Sequence, residues 1–242
     1  MSEPEKLERG VAAPDRYLPA ANPRHTILVV AVLGLSAFLG TILANYMKAG
    51  GNSHRIRFYV LALLIEWLWF ILVVADVWHS GAPVRIVLGD RWNSIRQVLR
   101  DVGIALAFWI VSIALLLPAA WLLRVASQGR KLDFMLPHGA TELTLWIALA
   151  VTAGVSEETV FRGYLQRQFM ALTKSAPAGI LLSAALFGAC HMYQGTRRAI
   201  LMGIYGAMFG ILAYWRRSVR PGMIAHAWHD SLAGVLATLV RR

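Results

Sequence analysis

The sequence predicts an all-α fold: a polytopic bundle of about seven transmembrane helices around a membrane-embedded polar cavity. Of the 242 residues, 57% are hydrophobic and only 15% are charged, whereas soluble domains carry about a quarter charged residues. Apolar runs of about 20 residues, the length that crosses a hydrocarbon core of about 30 Å, recur along the chain. Apolar length and flanking charge predict spans at 26–47, 58–78, 102–123, 143–172, 177–193, 198–215 and 221–240.

We expect a flexible N-terminal tail over 1–25, where acidic and basic residues mix with prolines, and a single integral membrane domain over 26–242. The fourth apolar run, 143–172, is long for one crossing and is charged in its second half, so we expect it to bend or leave the membrane. The net charge of +11 would suggest a nucleic-acid partner in a soluble chain. Here Lys and Arg lie mostly between apolar runs, which indicates contact with the lipid bilayer and no nucleic acid.

Several ionisable residues fall inside the last four apolar runs, where a charge costs about 2.5–3.5 kcal/mol. They are Glu157, Glu158, Arg162, His191, His226, His229 and Asp230. The i,i+4 spacing predicts that Glu158 pairs with Arg162, while Glu157, about 100° away, is free to face a cavity. His226 and Asp230 share the same spacing, and so do Phe187 and His191. A carboxylate beside histidines suits hydrolysis, with Glu157 as the base for a water molecule.

Three motifs follow one another on successive apolar runs: Glu157-Glu158-xxx-Arg162, Phe187-xxx-His191 and His226-xxx-Asp230. Together they resemble the signature of the CPBP family, which groups type II CAAX prenyl endopeptidases with bacterial Abi-type and bacteriocin-immunity proteins. The resemblance covers about the last hundred residues and sets the motif-bearing core at about 143–240. It implies a glutamic intramembrane endopeptidase without a cofactor, acting on membrane-associated, CAAX-like lipidated substrates among others. For a bacterial-type member it implies a multi-pass protein of the prokaryotic inner membrane.

Residue roles follow from the same resemblance. Glu157 and His191 would position and deprotonate the attacking water, and His226 and Asp230 would face the scissile carbonyl and stabilise the oxyanion. Glu158 matches a motif position among the catalytic residues, and Arg162, Phe187 and His229 are the supporting residues. The i,i+4 spacing, rather than the resemblance, makes Glu158 and Arg162 a structural pair. An ionised Asp230 cannot donate a hydrogen bond, so it is either protonated or orients His226 or a metal ion.

Other functions use the same residues. Glu157, His191 and His226 could bind zinc and lower the pKa of a bound water molecule. A bacteriocin-immunity or binding protein could retain the bundle without catalysis, and a transporter could use buried Glu and His as a proton relay.

Three features outside the motifs also lead to predictions. A dyad of Ser156 with a histidine is the alternative nucleophile. In the second run we expect Glu66 and Asp76 to form hydrogen bonds in the core rather than to take part in catalysis. Gly206-xxx-Gly210 predicts close helix packing within the bundle.

Overall fold

A computed structural model describes residues 17–50, 54–125 and 134–240, and in these ranges the chain forms helices and no β-strand. The all-α prediction is therefore confirmed. The α-helices are α1 (Pro23–Gly50), α2 (Arg55–His79), α3 (Arg85–Leu88), α4 (Ile95–Leu122), α5 (Gly139–Glu157), α6 (Gln166–Thr173), α7 (Ala176–Cys190), α8 (Thr196–Arg216) and α9 (Arg220–Val240). A π-helical segment, Glu158–Leu165, joins α5 to α6, and a 3₁₀ turn, Met192–Gln194, follows α7.

The predicted transmembrane character is confirmed by the length and composition of the helices. Five helical segments of the described chain are long and apolar enough to cross a membrane: Pro23–Met47, Arg55–His79, Ile95–Leu122, Gly139–Thr173 and Thr196–Arg216. The remaining two of the seven predicted runs are also helical. They are α7, which is apolar but has only 15 residues, and α9, which has 21.

The fourth apolar run remains helical from Gly139 to Thr173 and changes its hydrogen-bonding pattern along the way. It is α-helical up to Glu157 and π-helical from Glu158 to Leu165, and all eight residues of the π-helical segment are buried. π-Helices are rare and occur mostly as short insertions in α-helices, frequently at functional sites. Packing against neighbouring helices therefore stabilises a backbone arrangement that local propensity alone would not favour.

Glycines mark the places where helices of the bundle touch. A Cβ atom built at Gly154 of α5 would lie 2.8 Å from the Ala227 backbone nitrogen of α9. The Gly206-xxx-Gly210 motif of α8 is equally close to its neighbours: a Cβ atom at Gly206 would meet Phe187, and one at Gly210 would meet Gln166. The prediction that this motif packs within the bundle is confirmed, because small residues let helix backbones approach closely.

Asp76, near the end of α2, has the core hydrogen-bonding role that the sequence predicts. The Tyr164 hydroxyl donates a 2.6 Å hydrogen bond to Asp76 Oδ2, and His25 of α1 forms an ion pair with the other carboxylate oxygen. This cluster links α1 and α2 to the π-helical segment.

The chain just before α1 is held against α6. Ala20 and Ala21 are buried, and both contact the side chain of Gln168 through their backbones. The Ala20 amide donates to Gln168 Oε1 at 2.8 Å, and Gln168 Nε2 donates to the Ala21 carbonyl at 3.1 Å. Most of the predicted tail, residues 1–16, lies outside the described residues.

We predict that Tyr164→Phe destabilises the protein by about 1.5–3 kcal/mol, because it removes a hydrogen bond to a charged and buried carboxylate. Thermal unfolding of the detergent-purified protein, followed by tryptophan fluorescence, measures the effect. Tyr46→Phe is the matched control, since Tyr46 is exposed and surface changes are usually within about 0.5 kcal/mol. Equal unfolding temperatures for the two variants would contradict the prediction.

Candidate active site

A buried ion pair lies at the start of the π-helical segment. Arg162 Nη1 donates to Glu158 Oε1 at 2.8 Å, and the Glu158 side chain is 0% exposed. Arg162 also donates from Nη2 to the Gly206 carbonyl of α8, at 3.2 Å. Its guanidinium carbon lies 4.3 Å from the centre of the Phe187 ring of α7. The predicted pairing of Glu158 with Arg162 is confirmed, and it brings three helical segments together.

His226 of α9 is surrounded by three carboxylates. Its Nδ1 lies 3.2 Å from Glu158 Oε1, and its Nε2 lies 3.5 Å from both Glu157 Oε2 and Asp230 Oδ2. An ionised carboxylate only accepts hydrogen bonds, so we assign a hydrogen to each ring nitrogen, and the Nδ1 hydrogen is donated to Glu158. The Nε2 edge of the ring consequently faces Glu157 and Asp230.

The close contact between α9 and Glu158 depends on a glycine. A Cβ atom built at Gly222 would lie only 2.8 Å from Glu158 Oε2. One helical turn later, His226 reaches the other oxygen of the same carboxylate. The backbone of α9 can therefore approach Glu158 closely enough for His226 to bind it.

A cavity of about 120 Å³ lies on another side of Glu157, between α1, α2, α5 and the C-terminal end of α7. Its wall is largely apolar and comes mainly from α1 and α2. The polar side chains that line it are Ser36, Glu66, Glu157, His191 and Tyr193. The cavity lining thus contains two carboxyl groups and an imidazole among mostly apolar side chains.

His191 is positioned by the residues that precede it in the chain. Its Nδ1 lies 2.8 Å from the Phe187 carbonyl oxygen, so we assign the hydrogen to Nδ1 and leave Nε2 as an acceptor. The two rings are 4.6 Å apart, which confirms the predicted contact between Phe187 and His191. The Tyr193 ring also stacks on the imidazole, with the two ring centres 6.0 Å apart.

The structure separates the remaining candidate residues from this cavity. His226 contacts Glu157, and Asp230 contacts His226, but neither His226 nor Asp230 lines the cavity. His229 packs its ring against Tyr205 of α8, at 5.3 Å. Ser156 is buried, and its hydroxyl donates to the backbone carbonyl of Glu66 at 2.7 Å, so it connects α5 to α2.

The three zinc ligands that the sequence suggests, Glu157, His191 and His226, do not come together around one point in the structure. Among the described residues, no three or more His, Cys, Asp and Glu side chains are arranged so that they could hold a metal ion. His191 lines the cavity together with Glu157, whereas His226 contacts Glu157 without lining the cavity.

Glu66 is a cavity residue that the sequence analysis assigned to the core. It lies in the middle of α2 and faces the same cavity as Glu157. Its position inside an apolar span was the one signal that singled it out. No motif connects it to the residues after 143.

Residues 139–232 match the family described as Type II CAAX prenyl endopeptidase Rce1-like. This match confirms the resemblance predicted from the motifs, and the matched segment contains all of them. The similarity to this family indicates a CAAX-type membrane protease. Together with the apolar helices, it indicates a multi-pass integral membrane protein in a lipid environment that acts on a membrane-associated substrate. No curated protein and no solved structure matches the chain.

We predict that Arg162→Met destabilises the protein by about 3–5 kcal/mol, because Glu158 would remain as an uncompensated buried charge. The double variant Glu158→Gln/Arg162→Met should recover a large part of this loss, since both charges are then removed. Thermal unfolding in detergent compares the two variants. A double variant that is no more stable than Arg162→Met would show that the charge on Glu158 is not what destabilises the single variant.

We also predict that Gly222→Ala lowers stability by about 1–3 kcal/mol, because the new methyl group would press against Glu158 in a closely packed interior. Gly103→Ala is the matched control in a second helix, since a Cβ atom there meets nothing within 4 Å. Unfolding temperatures that fall equally in both variants would contradict the proposed contact.

Proposed function

We propose that this protein is an intramembrane endopeptidase that hydrolyses peptide bonds of membrane-associated substrates with a water molecule activated by Glu157 and His191. The observation that carries the proposal is the position of Glu157. It lines the cavity together with His191, while its Oε2 lies 3.5 Å from His226 Nε2. One carboxylate is therefore next to a space for water and next to a histidine that can face the substrate carbonyl.

The proposed reaction begins with a water molecule in the cavity. Glu157 accepts a proton from the water, and His191 Nε2 accepts a hydrogen bond that orients it. The water oxygen then attacks the carbonyl carbon of the scissile bond and forms a tetrahedral oxyanion. When the carbon–nitrogen bond breaks, the proton held by Glu157 passes to the leaving amine. Glu157 is then ionised again, ready for the next cycle.

His226 is the proposed oxyanion stabiliser. In its protonated form it has two donors, and Nδ1 is occupied by Glu158. The Nε2 donor remains for the negative charge that develops on the carbonyl oxygen, where a fixed donor is most effective. Asp230, at 3.5 Å from Nε2, acts in this mechanism as an ionised group that orients the imidazole. Arg162 compensates the charge of Glu158 and so keeps the ring in place.

The apolar part of the cavity wall supports a lipophilic substrate. Side chains of α1 and α2 form most of this wall, and both helices are apolar enough to cross a membrane. A peptide carrying a lipid group, as in a CAAX-type substrate, has matching chemistry. We place the enzyme in the inner membrane of a prokaryotic cell, in keeping with the bacterial members that the motifs resemble.

We predict that purified protein cleaves quenched-fluorescent peptides, tested in prenylated and unmodified forms, and that a strong chelator leaves the rate unchanged. Glu157→Gln should lower kcat by about 10²–10⁴-fold, because the base is lost. His226→Ala should lower it by about 10²–10³-fold, as removal of an oxyanion donor does. Asp90→Asn, which changes an exposed carboxylate, is the control and should leave kcat unchanged.

Three other results of the cleavage assay would contradict the proposed mechanism. Full activity of a folded Glu157→Gln variant would disprove the glutamate mechanism. Loss of activity on chelation would assign Glu157 and the histidines to a metal-dependent protease. If the folded wild type cleaves none of the peptides, the result favours a bacteriocin-immunity or binding function.

A further inference from the structure

Glu66 is a buried carboxyl group in the proposed catalytic cavity, and it comes from a part of the chain that the family match does not include. The match covers residues 139–232, whereas Glu66 belongs to α2. Its side chain is only 8% exposed. Because an unpaired charge inside an apolar span is costly, the presence of a second carboxyl group beside Glu157 requires a physical explanation.

Glu66 and Glu157 line the same cavity of about 120 Å³, and each has a buried carboxyl oxygen. Within the described chain, neither Glu66 Oε2 nor Glu157 Oε2 receives a hydrogen bond from a donor group. Two ionised carboxylates have acceptors only, so a hydrogen bond between them needs one proton. Like charges that share one small buried cavity also repel each other strongly. A proton on one of the two groups removes this repulsion and lets that group donate a hydrogen bond to the other.

The charged groups around Glu66 and Glu157 indicate which of the two carboxyl groups carries the proton. Glu157 lies 3.5 Å from His226 Nε2, and a nearby imidazolium favours an ionised carboxylate. Next to Glu66 lies the neutral Ser156 hydroxyl, which donates to the Glu66 backbone carbonyl. The titratable groups that line the cavity from the α7 side are Cys190, His191 and Tyr193. None of them supplies a positive charge when His191 has its hydrogen on Nδ1 only, as assigned from its contact with the Phe187 carbonyl. The proton is thus better placed on Glu66.

We infer that Glu66 is a positioning residue of this centre: its protonated carboxyl group donates a hydrogen bond to the Glu157 carboxylate and orients it toward the water site. This inference rests on the proposed function. It assigns to α2 a part in the catalytic centre, because the base would be supported from α2 on one side and from α9, through His226, on the other.

Two substitutions separate positioning from simple packing. Glu66→Met keeps the length of the side chain without a donor, so kcat should fall by about 10- to 100-fold while KM changes little, as expected for a misplaced base. Glu66→Gln retains a donor in its amide group, so kcat should stay within a few-fold of the wild-type value. Asp76→Asn is the matched control, because it changes another buried carboxylate of α2 outside the cavity, and its kcat should not change.

Infrared spectroscopy tests the proton without relying on activity. The wild type should show the carbonyl band of a protonated buried carboxyl group. The band should be absent from Glu66→Gln and present in Glu157→Gln and Asp76→Asn. A band that disappears in Glu157→Gln and remains in Glu66→Gln would overturn the inference, and so would a band that persists in both.

The kinetic results separate this inference from the proposed function. An inactive wild type, or an active Glu157→Gln variant, would refute the protease and leave the infrared result as the test of Glu66. Wild-type activity of a folded Glu66→Met variant, with Glu157→Gln inactive, would refute only the role of Glu66. Equal loss in Glu66→Gln and Glu66→Met would refute the donor role.

Discussion

The buried ion pair between Glu158 and Arg162 is the interaction on which the rest of the site depends. Removing two charges from water is costly, and a buried pair is tolerated only when its remaining donors and acceptors are satisfied. Here a backbone carbonyl of α8 and the face of Phe187 complete the surroundings of Arg162. His226 donates to Glu158. The π-helical segment, α7, α8 and α9 must therefore meet at one place.

Close packing of the helices makes this arrangement sterically possible. Gly206 leaves room for the Arg162 side chain, and Gly222 leaves room for the Glu158 carboxylate. In a membrane, small residues at helix contacts gain van der Waals packing and bring polar groups within hydrogen-bonding distance. The same contacts that stabilise the bundle thus also determine the position of the His226 ring.

Two adjacent carboxylates acquire different environments from their positions at the junction of two helical forms. Glu158 is the first π-helical residue, and its side chain is completely buried. Glu157 is the last residue of α5, and it faces a cavity on one side and His226 on another. Glu158 binds Arg162 and His226 through Oε1 and so serves structure, whereas Glu157 borders a space for water and is available for chemistry.

The sequence by itself determined the features that depend on local order. Apolar length predicted the helices, and i,i+4 spacing predicted the contacts of Glu158 with Arg162 and of Phe187 with His191, because both neighbours lie on one helix. Only the tertiary structure decided how His226 meets Glu158, 68 positions away, and that Glu66 of α2 lies beside Glu157. The π-helical form was not predictable either. Its residues are buried against several helices, and packing between elements is not encoded in the periodicity of any one of them.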